Sequence, residues 1–309
     1  MLKNKNILIT GGTGSLGNAL TTKLLTLGVK TIRIFSRDEN KQTKMEEKFN
    51  DNRLRFLIGD VRDKERLQRA VENIDIVIHA AAVKHINLAE EQPIHTCNVN
   101  VIGSINVIEA AIRTDVPTVV AISTDKACSS ASVYGDTKSL MERCFLDANT
   151  TRNRFSVCRF ANVAHSNGSV LPFWLKMKSQ GKQITLTDPK MNRLMFTQTD
   201  AARLIHRTIK YTEKNGGGFV SSYKMKCVNM LDLAKVISED IAIVGKRPGE
   251  KTDEDLIAEH ELPYTYVRGN DIHIRMEKNE GDNKLDVPYN SKSAEKMTPR
   301  EIKELVEWT

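Results

Sequence analysis

The stretch from Asn6 to Gly17 constrains the fold of this chain more than any other. An apolar run, Asn6-Ile7-Leu8-Ile9-Thr10, leads directly into Gly11-Gly12-Thr13-Gly14-Ser15-Leu16-Gly17, after which Leu16, Leu20, Leu24, Leu25 and Leu27 recur at helical spacing. Strand, glycine turn and amphipathic helix in that order predict the opening unit of a parallel sheet. At the helix start the free backbone N–H groups point outward. With no Cβ at Gly11, Gly14 and Gly17, a pyrophosphate can approach them closely. The three-residue glycine spacing in this context predicts dinucleotide binding.

The second strand, Thr31-Ile32-Arg33-Ile34-Phe35, ends in Ser36-Arg37-Asp38-Glu39-Asn40-Lys41. A fold specific for NAD usually holds the ribose 2′-hydroxyl with an acid here, whereas Arg37 suits a 2′-phosphate. Asp38 and Glu39 leave two alternatives open: an acid one residue later can still face the ribose, and the segment can be a solvated charged loop. NADP is the expected cofactor, with NAD the alternative.

Strand-helix alternation continues through Arg55–Val61, Asp75–His79, Thr118–Ile122 and Phe155–Arg159. The predicted fold is α/β, a Rossmann-type doubly wound parallel sheet with ligands along the carboxyl ends of its strands. Residues 1–160 are expected to form the nucleotide-binding domain. Residues 161–309 are expected to form a smaller, mainly substrate-binding region of loops and short helices that can return a late strand to the sheet. The segment from Glu259 onward is polar and weakly patterned, and predicts only a final helix around Pro299 to Trp308. A chain of 309 residues with 40% hydrophobic content is large enough for this core.

A net charge of +7 and a pI near 9.1 raise the question of nucleic acid. Lys and Arg are interleaved with acids instead of forming a run, so an enzyme for phosphate-rich ligands is the simpler account and no nucleic-acid partner is expected. Cys97, Cys128, Cys144, Cys158 and Cys227 are odd in number and lack CxxC spacing, which supports neither a disulfide framework nor a zinc site. No apolar run reaches the length of a membrane span, and the start leads straight into a core strand. A cytoplasmic protein without membrane contact is expected.

The chemistry concentrates after the fifth strand, in Ser123-Thr124-Asp125-Lys126 and Tyr134-Gly135-Asp136-Thr137-Lys138. Tyr134 and Lys138 lie one helical turn apart, so the ammonium can lower the phenol pKa and hold a nicotinamide ribose while Tyr134 removes a hydroxyl proton. Thr124 is a candidate hydrogen-bond partner for the substrate oxygen. Asp125 and Lys126 exceed what a simple dehydrogenase needs. Once a sugar carbon 4 is a ketone, the carbon 5 proton is acidic, and loss of water across carbons 5 and 6 requires a base and an acid together. Lys126 can be that base if it is held neutral, and Asp125 the acid. An exposed ion pair at a strand end is the bland alternative.

Ser-Thr-Asp-Lys-Ala followed by Tyr-Gly-x-Thr-Lys resembles the inverting UDP-N-acetylglucosamine 4,6-dehydratases, extended short-chain dehydrogenase/reductase proteins of polysaccharide biosynthesis. The resemblance extends through Gly59–Asp63, His79–His85, Asn100–Gly103, Arg159–Val163, Gly168–Phe173, Thr187–Arg193 and Gly245–Lys251. It implies that Thr13, Ser15, Leu16, Ser36, Arg37, Lys41, Asp60, Val61 and Ala80 bind NADP, with Lys84 near both cofactor and sugar. It also implies that Asn162, Val170, Arg193 and Arg247 serve the substrate, UDP-N-acetylglucosamine. His85 is a weaker candidate, since a lone His near a strand end is more often packed.

The implied cycle oxidises carbon 4 through Tyr134 and NADP+, removes the carbon 5 proton with Lys126 and expels the carbon 6 hydroxyl with Asp125. NADPH then returns hydride to carbon 6, and carbon 5 is reprotonated on the opposite face, giving UDP-2-acetamido-2,6-dideoxy-β-L-arabino-hexos-4-ulose. Retaining relatives commonly carry Met where Tyr134 stands. A homo-oligomer is implied as well. The sequence departs from the pattern at Cys128-Ser129-Ser130, Asn167 and Asp253, the first two of which bear on substrate choice. A UDP-sugar 4-epimerase or reductase, a retaining dehydratase, and a non-catalytic NADP-binding regulator are the alternative functions.

Overall fold

The computed structural model describes residues 2–246 and 249–308. Its centre is a ten-stranded sheet. The first part comprises β1 (Asn6–Thr10), β2 (Thr31–Ser36), β3 (Leu54–Ile58), β4 (Ile76–His79), β5 (Thr118–Thr124) and β6 (Arg154–Phe160). These lie in the spatial order β3-β2-β1-β4-β5-β6, all parallel. β5 is buried along its whole length and β1 along all but its first residue, as expected of parallel strands covered on both faces.

Successive side chains of β1 feed two cores. Ile7 and Ile9 pack with Leu20 and Leu24 of the helix Ser15–Leu25 and with Ile205 and Ile209 of the helix Gln198–Asn215. Leu8 packs on the other face with Leu67, Val107 and Met141, from the helices Lys64–Ala70, Gly103–Arg113 and Val133–Asp147. The strand order reverses between β1 and β4, which opens a crevice at their carboxyl ends.

The sheet extends well beyond residue 160. Val220–Tyr223 adds parallel to β6, and Asp271–Ile274, Thr265–Arg268 and Asn283–Lys284 continue it antiparallel. The doubly wound parallel sheet therefore carries an antiparallel margin, built largely from the segment whose sequence pattern predicted no strand. The reason is local: Arg268 and Asp271 pair across Gly269-Asn270, with Gly269 at φ +59°, a tight hairpin whose short strands bury the polar Thr265 and His273 beside Val267 and Ile272 and so show no apolar run. β3 ends at Ile58, so Asp60 and Val61, expected within the strand, lie in the loop after it.

A third core holds Trp174, Leu186, Met195, Leu233, Ile302 and Leu305. It joins the helices Val170–Ser179, Met230–Ile237 and Pro299–Glu307 to a small sheet in which Asn192–Phe196 lies between Asn162–Val163 and Cys227–Asn229. The final helix begins at a capping box between Thr298 and Glu301 and follows the expected bounds closely.

Candidate active site

The crevice opens into a cavity of about 720 Å³. One wall is the glycine turn. Gly11 has φ +68°, and a Cβ there would lie 2.8 Å from the Ala81 backbone. A Cβ on Gly17 would lie 2.0 Å from the Gly12 carbonyl oxygen. Gly14 caps the helix Ser15–Leu25 without any side-chain bond, leaving the first-turn N–H groups without a side-chain acceptor. Close backbone packing beside an uncapped helix start fits a dinucleotide pyrophosphate.

Ser36, Arg37 and Lys41 line the cavity at the end of β2, with Asp60, Val61 and Ala80 beyond them. Asp38 also borders it, but its carboxylate caps the helix Glu39–Phe49, accepting from the Lys41 N–H at 3.0 Å, and pairs with the Lys41 ammonium at 3.2 Å. Asp60 accepts two bonds from the Arg62 guanidinium, at 3.0 and 2.6 Å, and lies 3.7 Å from Arg37.

A strap formed by residues 166–169 crosses the opposite side. The Asn167 N–H donates to Ser15 Oγ at 2.8 Å, and its carbonyl accepts from Lys84 Nζ at 2.6 Å. Gly168, at φ +72°, lies against the His85 ring, where a Cβ would approach to 2.3 Å. His85 borders the cavity and stands at the N-terminus of the helix Ile86–Glu91 without a capping bond.

Thr124, Lys126, Tyr134, Lys138 and Asn162 all face the same space. β5 runs through Thr124 into a tight turn, Asp125–Ala127, which packs against the helix Val133–Asp147. Ser132 caps that helix by accepting from the Gly135 N–H at 3.2 Å, which sets Tyr134 and Lys138 on its first turns. Lys138 Nζ donates to the Ile122 carbonyl at 2.5 Å; burial lowers its pKa to about 8, partly opposed by Glu142. Burial pushes the Tyr134 phenol upward, with the Thr124 hydroxyl acting against it and the Asp125 charge adding to it. The protein alone thus keeps Tyr134 protonated, and Lys138 is turned to a carbonyl instead of lowering the phenol's pKa.

Asp125 is buried behind this wall and does not line the cavity. Its Oδ1 accepts from the Thr124 hydroxyl at 2.8 Å, the Lys126 N–H at 2.9 Å and Lys126 Nζ at 3.1 Å. Oδ2 has no hydrogen-bond partner among the described residues. Asp125 therefore connects to the cavity through two residues that do line it.

The substrate-side candidates divide. Asn162 donates from its amide to the Leu194 carbonyl at 3.1 Å at the cavity edge. Val170 opens its helix next to the strap and packs against the third core. Arg193 is buried outside the cavity, with Nη1 donating to the Asn192 and Thr252 carbonyls and Nη2 to that of Lys251. Arg247 lies outside the described residues. Of the departures, Asn167 lines the cavity, whereas Cys128, Ser129 and Ser130 do not. Cys128 donates its thiol to Glu261 at 3.2 Å, Ser129 offers its carbonyl to Lys251 Nζ, and Ser130 bonds to the Ser132 carbonyl at 3.1 Å. Asp253 accepts from Asn192 and Ser291 at 3.1 and 2.8 Å.

Sequence reasoning missed two side chains. Asn100 bonds both main-chain groups of Val83 and the Thr137 hydroxyl, tying the loop after β4 to the Tyr134 helix. Its motif stood out in the sequence, but the role did not. Glu254 lies 3.9 Å from Lys126, and no local pattern marks it.

Strand order, glycine turn and the Tyr134–Lys138 pair together define a Rossmann-fold enzyme of the short-chain dehydrogenase/reductase class. The family model described as polysaccharide biosynthesis protein matches residues 7–275, and the chain belongs to that family. The UDP-N-acetylglucosamine 4,6-dehydratase (inverting) of Campylobacter jejuni subsp. jejuni serotype O:23/36 is 40% identical, over 86% of this chain and 81% of its own. The UDP-glucose 4-epimerase of Rickettsia felis is 34% identical, over 99% of this chain and 96% of its own. The X-ray structure of Pen from Bacillus thuringiensis superposes with a TM-score of 0.92 at 33% identity, covering 99% of this chain and 98% of that one. The resemblance read from the motifs is borne out, and relatives of this chain carry both dehydratase and epimerase names. Among the described residues no helix is long and apolar enough to cross a membrane.

Proposed function

We propose that the chain is an NADP-dependent UDP-N-acetylglucosamine 4,6-dehydratase of the inverting type. The observation that carries this reading is that Lys126, Tyr134 and Lys138 share one cavity wall with Asp125 directly behind it, Lys126 Nζ lying 3.1 Å from Asp125 Oδ1.

When bound, the nicotinamide exchanges hydride with the sugar and, in its oxidised state, brings positive charge into the cavity. Tyr134, once ionised as the phenolate that this positive charge would favour, takes the carbon 4 hydroxyl proton, and Thr124 orients the resulting oxygen. Lys126 then takes the proton from carbon 5, made acidic by the adjacent ketone. That proton passes to Asp125 Oδ1 and, through the Thr124 hydroxyl at 2.8 Å, to the departing carbon 6 hydroxyl. One C–H and one C–O bond break, a C=C bond forms and water leaves, so the proton count closes within the Thr124-Asp125-Lys126 segment.

Arg37 and Lys41 at the cavity, with Asp38 occupied as a helix cap, favour a 2′-phosphate and hence NADP. Tyr134 in place of Met and the name of the Campylobacter relative favour inversion at carbon 5. The Rickettsia relative favours a second reading, a UDP-sugar 4-epimerase, which uses Tyr134 and Lys138 but gives Asp125 and Lys126 nothing to do.

Incubation with UDP-N-acetylglucosamine and NADP followed by NMR separates the two. A carbon 6 methyl beside a 4-keto group is expected, with deuterium at carbon 5 in deuterated water. A 4-epimer retaining its carbon 6 hydroxyl would refute the dehydratase. Lys126→Ala should keep NADP binding and lose the methyl signal, and unchanged turnover would remove Lys126 from the mechanism.

A further inference from the structure

Lys126 has a second acidic neighbour that the scheme above leaves idle. Glu254 precedes the strand Asp255–Ile257, which packs on the Asp125–Ala127 turn. Ser291 fixes its main chain on both sides: the Glu254 N–H donates to Ser291 Oγ at 3.1 Å, and the Glu254 carbonyl accepts from the Ser291 N–H at 3.0 Å. The side chain is 6% exposed, and its Oε1 lies 3.9 Å from Lys126 Nζ and 4.0 Å from Arg193 Nη2. The Lys126 ammonium is therefore held between two buried carboxylates. Asp125 Oδ1 already accepts three hydrogen bonds and serves the later transfer of the carbon 5 proton.

We propose that Glu254 is the resting proton store for Lys126, a positioning residue that takes the ammonium proton so that Lys126 meets the sugar as a neutral amine. The inference rests on the reading of Lys126 as the carbon 5 base. In this step an N–H bond of Lys126 breaks and an O–H bond of Glu254 forms; ammonium and carboxylate become amine and carboxylic acid with no change in net charge. At 3.9 Å the transfer needs one bridging water or a small side-chain rotation. The charged groups facing Glu254 are Lys126, Asp125, Arg193 and Lys251. Burial raises the Glu254 carboxyl above the ordinary glutamate range, with Asp125 adding to the rise and the three cations opposing it. Arg193, whose other bonds go to main-chain carbonyls, is the fixed cation that keeps this carboxyl in place.

The test uses the NADP-loaded enzyme and its Glu254→Gln and Glu254→Asp variants. In Glu254→Gln, NADP affinity and melting temperature should stay near those of the parent while kcat at neutral pH falls about 100-fold, a typical contribution of positioned acid-base groups. The acid limb of the kcat profile should move to higher pH, because Glu254 is no longer there to take the ammonium proton, and Glu254→Asp should restore part of the activity. An unchanged kcat, or an equal loss at every pH, would overturn the proposal. Infrared difference spectra give a readout free of turnover. A protonated-carboxyl band in the parent near neutral pH should vanish in Glu254→Gln, and its absence from the parent would overturn the proposal whatever the sugar. Failure of the parent to form a 6-deoxy product would instead count against the dehydratase reading alone.

Discussion

Replacing Arg159 with Met would isolate the buried charge cluster behind the active site. Arg159 on β6 uses all five guanidinium N–H groups. Two go to Glu142 at 3.0 and 2.6 Å, two to Glu261 at 2.9 and 2.8 Å, and one to the Leu256 carbonyl at 3.0 Å. The three side chains are only 3%, 6% and 12% exposed. Removing the cation leaves two carboxylates without their partner in a site with little water, a change that costs about 3–5 kcal/mol in comparable buried pairs. For a chain of this size that corresponds to a fall in melting temperature on the order of 10 °C.

The pH dependence has a definite sign. Burial raises the Glu261 carboxyl, but the charge and hydrogen bonds of Arg159, with the Ala258 N–H and the Cys128 thiol, outweigh it and hold its pKa below the ordinary 4.5. A depressed folded pKa contributes stability above the unfolded value and loses it as pH falls through the folded one. The gap between parent and variant should therefore be widest at neutral pH and narrow below about 4.5. Differential scanning fluorimetry across pH 3.5–8, a range set by about one unit below and a few above that value, reads both effects. A triple change of Arg159, Glu142 and Glu261 to Met should recover much of the loss. A melting temperature for Arg159→Met within about 1 °C of the parent at neutral pH would refute the argument.

Gly17→Ala should weaken NADP binding by about tenfold or more and lower the melting temperature, since its Cβ would meet the Gly12 carbonyl oxygen at 2.0 Å; calorimetric titration with unchanged affinity would count against the cradle. Arg37→Ser should reduce affinity for NADP by about tenfold while sparing NAD, and equal losses for both would count against 2′-phosphate recognition. Lys138 has a folded pKa of about 8 against 10.5 unfolded, so the unfolded chain binds more protons in that window and the parent gains stability as pH rises through it. Lys138→Met should lack that rise, and parallel stability curves for parent and variant between pH 8 and 10.5 would refute the assignment.

How much was legible in the sequence depended on where each partner lies along the chain. β1 was readable to the residue because strand, turn and helix are contiguous and each carries its own period. β5 was read to Ile122 and runs to Thr124 because the polar Ser123 and Thr124 look like turn residues yet still pair, with Arg159 and Phe160. The hairpin at the sheet margin was missed although Gly269-Asn270 between Tyr266-Val267 and Ile272-His273-Ile274 is a two-residue turn signal. Its strands bury the polar Thr265 and His273 beside Val267 and Ile272, so no apolar run announces them.

The same holds for the site. Thr124, Asp125 and Lys126 are neighbours in sequence, and Tyr134 and Lys138 share one helix, so local pattern suggests their grouping. Glu254 reaches Lys126 only through tertiary packing, and Arg193, expected to serve the substrate, is instead taken up by the main-chain carbonyls of Asn192, Lys251 and Thr252 and lies 4.0 Å from Glu254. The Cys128-Ser129-Ser130 departure looked like a specificity change because it lies near the acid-base residues in sequence. In space it turns away from the cavity, toward Glu261 and Lys251.

Ser15 and Lys84 grip the main chain of Asn167 and leave its side chain out of both bonds. Position 167 is thereby released from upkeep of the clasp: substitution there can redraw the surface offered to a sugar while the strap keeps its course. A panel of residues at 167 is for that reason a route to altered selectivity that starts from an intact fold, and the Asn found here is one such choice.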